Sequence, residues 1–232
     1  MKTLFAGAAL ALLIAAPVGA QAASGLTGAY YALPPQPSGV GAAGGPGSVA
    51  TALSEISGVT PTASFTATSV CFPSCGNTLG DGGSTVADFL GGNATGITSN
   101  TVSDLSNHVV VLTGFLNVVT SGMQTFSLAS DDGSELIING QVVSLDDGDH
   151  GFGGPGSVSV NLTKGFDSIE IVQFEDGGVT GLTVMENGAA LGGNEVVTTA
   201  VPEPATWAMM LAGFGGLGAA MRARRRSATA TA

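Results

Sequence analysis

The chain has 232 residues, 37 glycines, two cysteines and a formal net charge of −11. That length allows one domain with a sizeable core, and the scarcity of Lys and Arg excludes a phosphate-neutralising surface, so nucleic acid is not an expected partner. Between Ala23 and Val201, 16 acidic residues face the single base Lys164, a net −15 that attracts divalent cations and repels anionic lipid.

In chain order, Met1 to Ala22 reads as a secretory signal. Lys2 supplies the charged start, Leu4 to Ala16 the apolar run, and Ala20-Gln21-Ala22 an A-x-A cleavage site. The mature chain then begins near Ala23, outside the cytoplasm. Pro34-Pro35-Gln36-Pro37 and Gly39 to Gly47 form a loop, since proline fixes φ and glycine frees it. Ser48 to Ser57 predicts a short helix capped by Ser48, with Val49, Leu53 and Ile56 on one face. A second helical turn is expected over Ser84 to Leu90, stopped by Gly91. Cys71 and Cys75 bracket Phe72-Pro73-Ser74. Outside the cytoplasm this pair reads as a disulfide pinning a small loop, because two ligands are too few for a metal and redox pairs favour C-x-x-C.

His108 to Val119 is the most apolar stretch of the mature chain, and its β-branched run predicts a central strand buried on both faces. Phe126 and Leu128 alternate with Thr125 and Ser127, Asp131-Asp132-Gly133 interrupts, and Leu136 and Ile138 resume. Asn139-Gly140 is a hairpin signal, since both residues tolerate the positive φ of a type I′ turn. Asp146, Asp147 and Asp149 form a second acidic loop. Strands are expected over Gly156–Leu162, Asp167–Phe174 and Val179–Met185, with a third acidic loop at Glu175-Asp176-Gly177-Gly178. Hard oxygen ligands on loops suit calcium, although Asp and Gly are equally ordinary turn residues.

The end of the chain carries a separate signal. Val201-Pro202-Glu203-Pro204 precedes an uncharged apolar run, Ala205 to Met221, and then Arg222, Arg224, Arg225 and Arg226. A run of this length at about 1.5 Å per residue just spans a bilayer core, so a C-terminal transmembrane helix is expected over 205–221. The arginines would lie in the cytoplasm.

Two resemblances follow. Gly25 to Tyr31, Ala63 to Thr68, Ala87 to Gly91, Ser130-Asp131-Asp132-Gly133-Ser134, Gly148 to Gly151 and Val172 to Gly178, in that order, resemble the protective-antigen fourteen-kilodalton-type domain, the β module of yeast flocculins. The resemblance covers 25–186, leaving 187–201 as a linker. It implies an all-β fold: one antiparallel β-sandwich with short helices in its loops, to which the tail adds the transmembrane helix. Val109, Val111, Phe126, Leu128, Leu136, Ile138, Ile169 and Ile171 are its expected core. In the flocculin branch, two adjacent aspartates joined by a cis peptide hold a calcium ion that coordinates sugar hydroxyls. The resemblance therefore implies Asp131, Asp132 and Asp176 as metal ligands, with Glu175 and Gly177 also at the ligand. Pro202, Glu203, Pro204 and Trp207, with the arginine cluster to 226, resemble the PEPxxWA variety of the PEP-CTERM sorting signal. That implies an exosortase as partner, transient residence at the inner membrane, and a final place at the cell surface or in the extracellular matrix.

An enzyme is not expected. The acids stand on short Gly-rich loops without an apolar pocket to separate their pKa values, and no G-x-S-x-G or phosphate-loop motif occurs. Two function classes remain: a calcium-dependent module for an extracellular polysaccharide or other glycan, and a structural surface or biofilm-matrix protein that binds no sugar.

Overall fold

Apolar residues at every second position form the strands, and glycine and aspartate break them. In a computed structural model of the protein, residues 24–34, 44–198, 210–211 and 213–215 are described. The chain divides into a unit Ala22–Ala200 and a second made of Met1–Gln21 with Val201–Ala232. In the first unit the strands are β1 (Leu26–Ala32), β2 (Ala63–Ala67), β3 (Cys71–Phe72), β4 (Leu79–Gly80), β5 (Ala94–Thr95), β6 (Asn107–Val118) and β7 (Gly122–Asp131). They continue with β8 (Ser134–Ile138), β9 (Gln141–Asp146), β10 (Gly153–Leu162), β11 (Gly165–Asp176), β12 (Val179–Glu186), β13 (Ala189–Ala190) and β14 (Val196–Val197). Two short helices, α1 (Val49–Glu55) and α2 (Val86–Leu90), lie in the loops.

The strands make two antiparallel sheets. One runs β5-β2-β1-β6-β11-β8-β9 with β14 added on β6, and the other runs β10-β7-β12-β13 with β3 and β4 added on β12. Between them Leu112, Leu116, Phe126, Leu128, Leu136, Ile138, Ile169, Ile171 and Leu182 are buried in one cluster. Truncating a buried phenylalanine such as Phe126 to alanine costs about 3–5 kcal/mol, which makes this cluster the main support of the fold. Asn139 and Gly140 both take positive φ, 52° and 73°, as a type I′ hairpin demands.

The outer face of the larger sheet is covered over part of its length. Ser48 caps α1 by accepting from the Thr51 amide, and Val49, Ala52 and Ile56 pack on Val109, Val172 and Phe174. This explains a difference from the sequence pattern. Strand β6 is buried on both faces only from Asn107 to Val110. Beyond the helix it alternates, with Leu112 buried and Thr113 exposed. Val111, expected in the core, is half-buried against the α1 cluster. Helix α2 starts two residues later than expected, because Thr85 and Asp88 make a reciprocal capping box.

Two expectations need correction. The stretch 187–201, read as a linker, contains β13 on β12 and β14 on β6. Leu191, Val196 and Val197 are buried, so these residues belong to the sandwich. The transmembrane helix over 205–221 is not found: among the described residues, no helix is long and apolar enough to cross a membrane. In that run the described helical residues are 210–211 and 213–215. The signal segment 1–22 and the sorting residues Pro202, Glu203, Pro204, Trp207, Arg222, Arg224, Arg225 and Arg226 lie outside the described residues.

Candidate functional site

The site forms where the two sheets end together. Strand β7 ends in Asp131, which stands opposite Gly181 of β12 in the smaller sheet. Strand β11 ends in Glu175 and Asp176, opposite His108 and Asn107 of β6 in the larger sheet. The Asp131–Asp132 peptide is cis, the geometry that the flocculin resemblance implies. The bend is then stitched to β11 from both sides: the Asp132 amide donates to the Phe174 carbonyl at 3.0 Å, and the Phe174 amide donates to the Gly133 carbonyl at 2.9 Å. Gln173 donates to the Asp131 and Phe174 carbonyls at 2.7 and 3.0 Å. At Gly133 only a hydrogen fits, because a Cβ would run into the Phe174 ring.

These connections bring one carboxylate oxygen each of Asp131, Asp132 and Glu175 within 4.8 Å of one another. All three residues are buried, Glu175 completely. Neither Glu175 carboxylate oxygen makes a hydrogen bond of good geometry. Both oxygens of Asp132 accept main-chain amides, Oδ1 from His150 at 2.9 Å and Oδ2 from Asp176 at 2.8 Å. Each keeps a second lone pair for another partner.

The electrostatics follow from burial and crowding. Burial, and next the Asp132 charge, push the Asp131 carboxyl up to about 6, against a smaller opposing pull from the Phe152 amide. Burial pushes Asp132 up despite its two amide donors. Burial, followed by the charges of Asp132 and Asp131, pushes Glu175 up to about 10, while the nearby Thr180 hydroxyl pulls weakly the other way. Three carboxylates in so small a volume cannot all stay charged unless a cation or protons intervene. The buried acidic cluster can therefore coordinate a divalent cation.

Strand parity decides which acid of the third loop takes part. Alternate residues point to opposite faces. Glu175 shares the inner face with Ile169, Ile171 and Gln173. Asp176 shares the outer face with Val172 and Phe174, which pack under α1. Asp176 accordingly stands outside the cluster of three, and its Oδ1 accepts the Gly45 amide at 2.7 Å. Period-2 counting forward from Ile171 would have picked out Glu175, whereas the resemblance alone pointed to its neighbour. Gly177, half-buried, follows at the rim. The rim also holds half-buried Phe152, whose ring would lie 3.1 Å from a Cβ at Gly181.

Three further features flank the site. Cys71 and Cys75 are disulfide-bonded and pin the loop between β3 and β4, which lies along β12. His108 is buried in a neutral role: its Nδ1 donates to the Leu105 carbonyl at 2.8 Å, its ring stacks on Tyr30, and burial lowers its pKa to about 4. Of the second acidic loop, Asp146 lies 3.3 Å from His150 Nε2, and Asp147 accepts the Val49 amide at 2.8 Å.

Comparison with known proteins gives two family matches: the PA14 domain over residues 85–183 and the PEP-CTERM protein-sorting motif over 200–226. The chain carries a PA14 domain followed by a PEP-CTERM sorting motif. Among solved structures it is similar to a PA14 sugar-binding domain from an RTX adhesin, at 26% identity and TM-score 0.63, covering 76% of this chain and 99% of that one. The PA14 domain of the MpAFP antifreeze protein shares the fold at 20% identity and TM-score 0.62, covering 77% and 93%. The epithelial adhesin 9 A domain of Candida glabrata, solved with Galb1-4GlcNAc, does so at 12% identity and TM-score 0.52, covering 78% and 93%. No curated protein matches the chain. The PA14 domain family is a non-catalytic carbohydrate- and adhesin-binding module. The sorting motif implies export.

Proposed function

We propose that this exported protein binds a glycan through a calcium ion held at the Asp131–Asp132 bend, and that an exosortase sorts it through its tail to the cell surface or extracellular matrix. One observation carries the binding reading: three buried carboxylates converge within 4.8 Å, and one of them, Glu175, has no hydrogen bond of good geometry to hold it. All-oxygen ligands are the preference of a hard cation such as calcium. Bound there, calcium would neutralise the cluster and offer vacant coordination positions to sugar hydroxyls. Asp131, Asp132 and Glu175 supply the charge. Asp176 fixes Asp132 through its amide, and Gly177 leaves the rim low enough for a sugar to approach. The similarity to a PA14 sugar-binding domain at 26% identity supports the same reading.

The deep burial of all three carboxylates favours a second reading, in which the ion only stiffens the loops of a surface or matrix protein. A glycan screen with the full-length protein, in calcium and in chelator, separates the two. Glycan retention that chelator abolishes is expected. Calcium binding without retention of any glycan supports the matrix reading.

The sorting reading has its own test. Deleting 202–232 is expected to leave the protein in the periplasm, away from the destination of the full chain. An unchanged destination would rule out sorting by the tail.

A further inference from the structure

The two loops that hold Asp132 have a common support outside the residues matched to the PA14 domain. Asp132 Oδ1 is held by the His150 amide of the β9–β10 loop, and Oδ2 by the Asp176 amide at the end of β11. Each of these segments is tied in turn to the short stretch that leads into α1. Asp176 Oδ1 accepts the Gly45 amide at 2.7 Å, and Asp147 Oδ1 accepts the Val49 amide at 2.8 Å. The stretch itself is anchored by α1, whose Val49, Ala52 and Ile56 pack on Val109, Val172 and Phe174. Phe174 is the residue whose main chain pairs with the Asp132 bend.

We propose that Gly45–Val49 is a strap that positions the cation site, with Gly45 as its key residue. This inference rests on the calcium reading above. Gly45 makes its contact with no room to spare. A Cβ there would lie 2.6 Å from Asn107 Oδ1 and 2.8 Å from Asp176 Cγ, so a side chain of any size forces the Asp176 carboxylate out of the position in which it accepts the Gly45 amide. That breaks the tie between the strap and Asp176, whose own main-chain amide holds Asp132 Oδ2. Gly45 thus acts on the ion at two removes, as a positioning residue. Outer-shell groups that orient metal ligands typically contribute 10- to 100-fold to metal affinity.

The test is calorimetric titration of calcium into full-length wild type, Gly45→Ala and Ser48→Ala. Ser48→Ala removes the α1 cap from the same stretch without touching Asp176. Affinity is expected to fall about 10-fold or more in Gly45→Ala and less than about threefold in Ser48→Ala. Equal affinity in Gly45→Ala and wild type overturns the proposal, as does an equal fall in both variants. Should Gly45→Ala not fold, amide hydrogen exchange of the wild type decides. Calcium is expected to slow exchange at the Gly45 amide, and exchange indifferent to calcium overturns the strap. Absence of calcium binding by the wild type itself overturns the calcium reading, and the strap with it.

Discussion

Calcium at about 10 mM is expected to raise the melting temperature of the full-length protein by roughly 3–10 °C, and Asp131→Asn with Asp132→Asn should abolish the rise. Few protein ligands at an extracellular site imply a dissociation constant of about 10⁻⁴ to 10⁻³ M. An ion that binds only the folded form then adds about 1.4–2.7 kcal/mol at that concentration. For a domain of this size each kcal/mol moves the midpoint by roughly 2–4 °C. Asparagine keeps the shape of Asp132 but removes the charge that the ion needs, and it can accept only one of the two main-chain amides that the aspartate holds. The increment should also shrink on acidification, because metal ligands must be deprotonated and Asp131 titrates at about 6 in the folded protein. Thermal scans in calcium and in chelator, near pH 5 and pH 8, check both points.

The second expected result has opposite signs with and without the ion. In chelator near pH 8, Glu175→Gln should stabilise the protein by a few kcal/mol, yet in calcium it should lose most of the calcium-dependent rise. Glu175 is fully buried, both of its oxygens lack a good hydrogen bond, and two other carboxylates crowd it. Near pH 8 the folded state must hold Glu175 protonated while the unfolded state releases that proton, which costs several kcal/mol, and a neutral amide of the same shape avoids that cost. The pH dependence fixes the sign. The Glu175 carboxyl is raised from an ordinary 4.5 to about 10 on folding, so the folded state keeps a proton that the unfolded state releases. Its contribution is complete below about 4.5 and is lost as pH rises toward 10. In chelator, stability of the wild type should therefore fall with pH across that window, and Glu175→Gln should flatten the fall. Denaturant unfolding at several pH values measures it. A variant less stable than wild type near pH 8 in chelator would show that Glu175 already has a compensating partner.

Much of the sandwich is legible in the residues. Phe126, Leu128, Leu136, Ile138, Ile169 and Ile171 alternate with polar neighbours, and all six are buried. Asn139-Gly140 turns where positive φ is required. Ser48 caps α1 as its side chain suggests. What local pattern does not carry is the company a strand keeps. The half-open outer face of β6 depends on where α1 docks, which Val49, Ala52 and Ile56 alone do not reveal. The pairing of 196–197 with β6 is a long-range contact of the same kind. At the site, the Asp131-Asp132 pair stands out as a breaker between two strands. The choice between Glu175 and Asp176 turns on parity within β11, and parity has meaning only once Ile171 is known to face the core. The Gly45 contact was the least legible, since a glycine in a Pro- and Gly-rich loop looks like any other until Asp176 and Asn107 lie beside it.

The central claim is an ion held by the carboxylates at the Asp131–Asp132 bend, and calorimetric titration of calcium into the full-length wild type near pH 8 tests it most directly. The account predicts one ion per chain with a dissociation constant of about 10⁻⁴ to 10⁻³ M, and no binding heat in the Asp131→Asn, Asp132→Asn double variant. No heat beyond dilution in the wild type at about 10 mM calcium, or the same heat in the double variant, would contradict it.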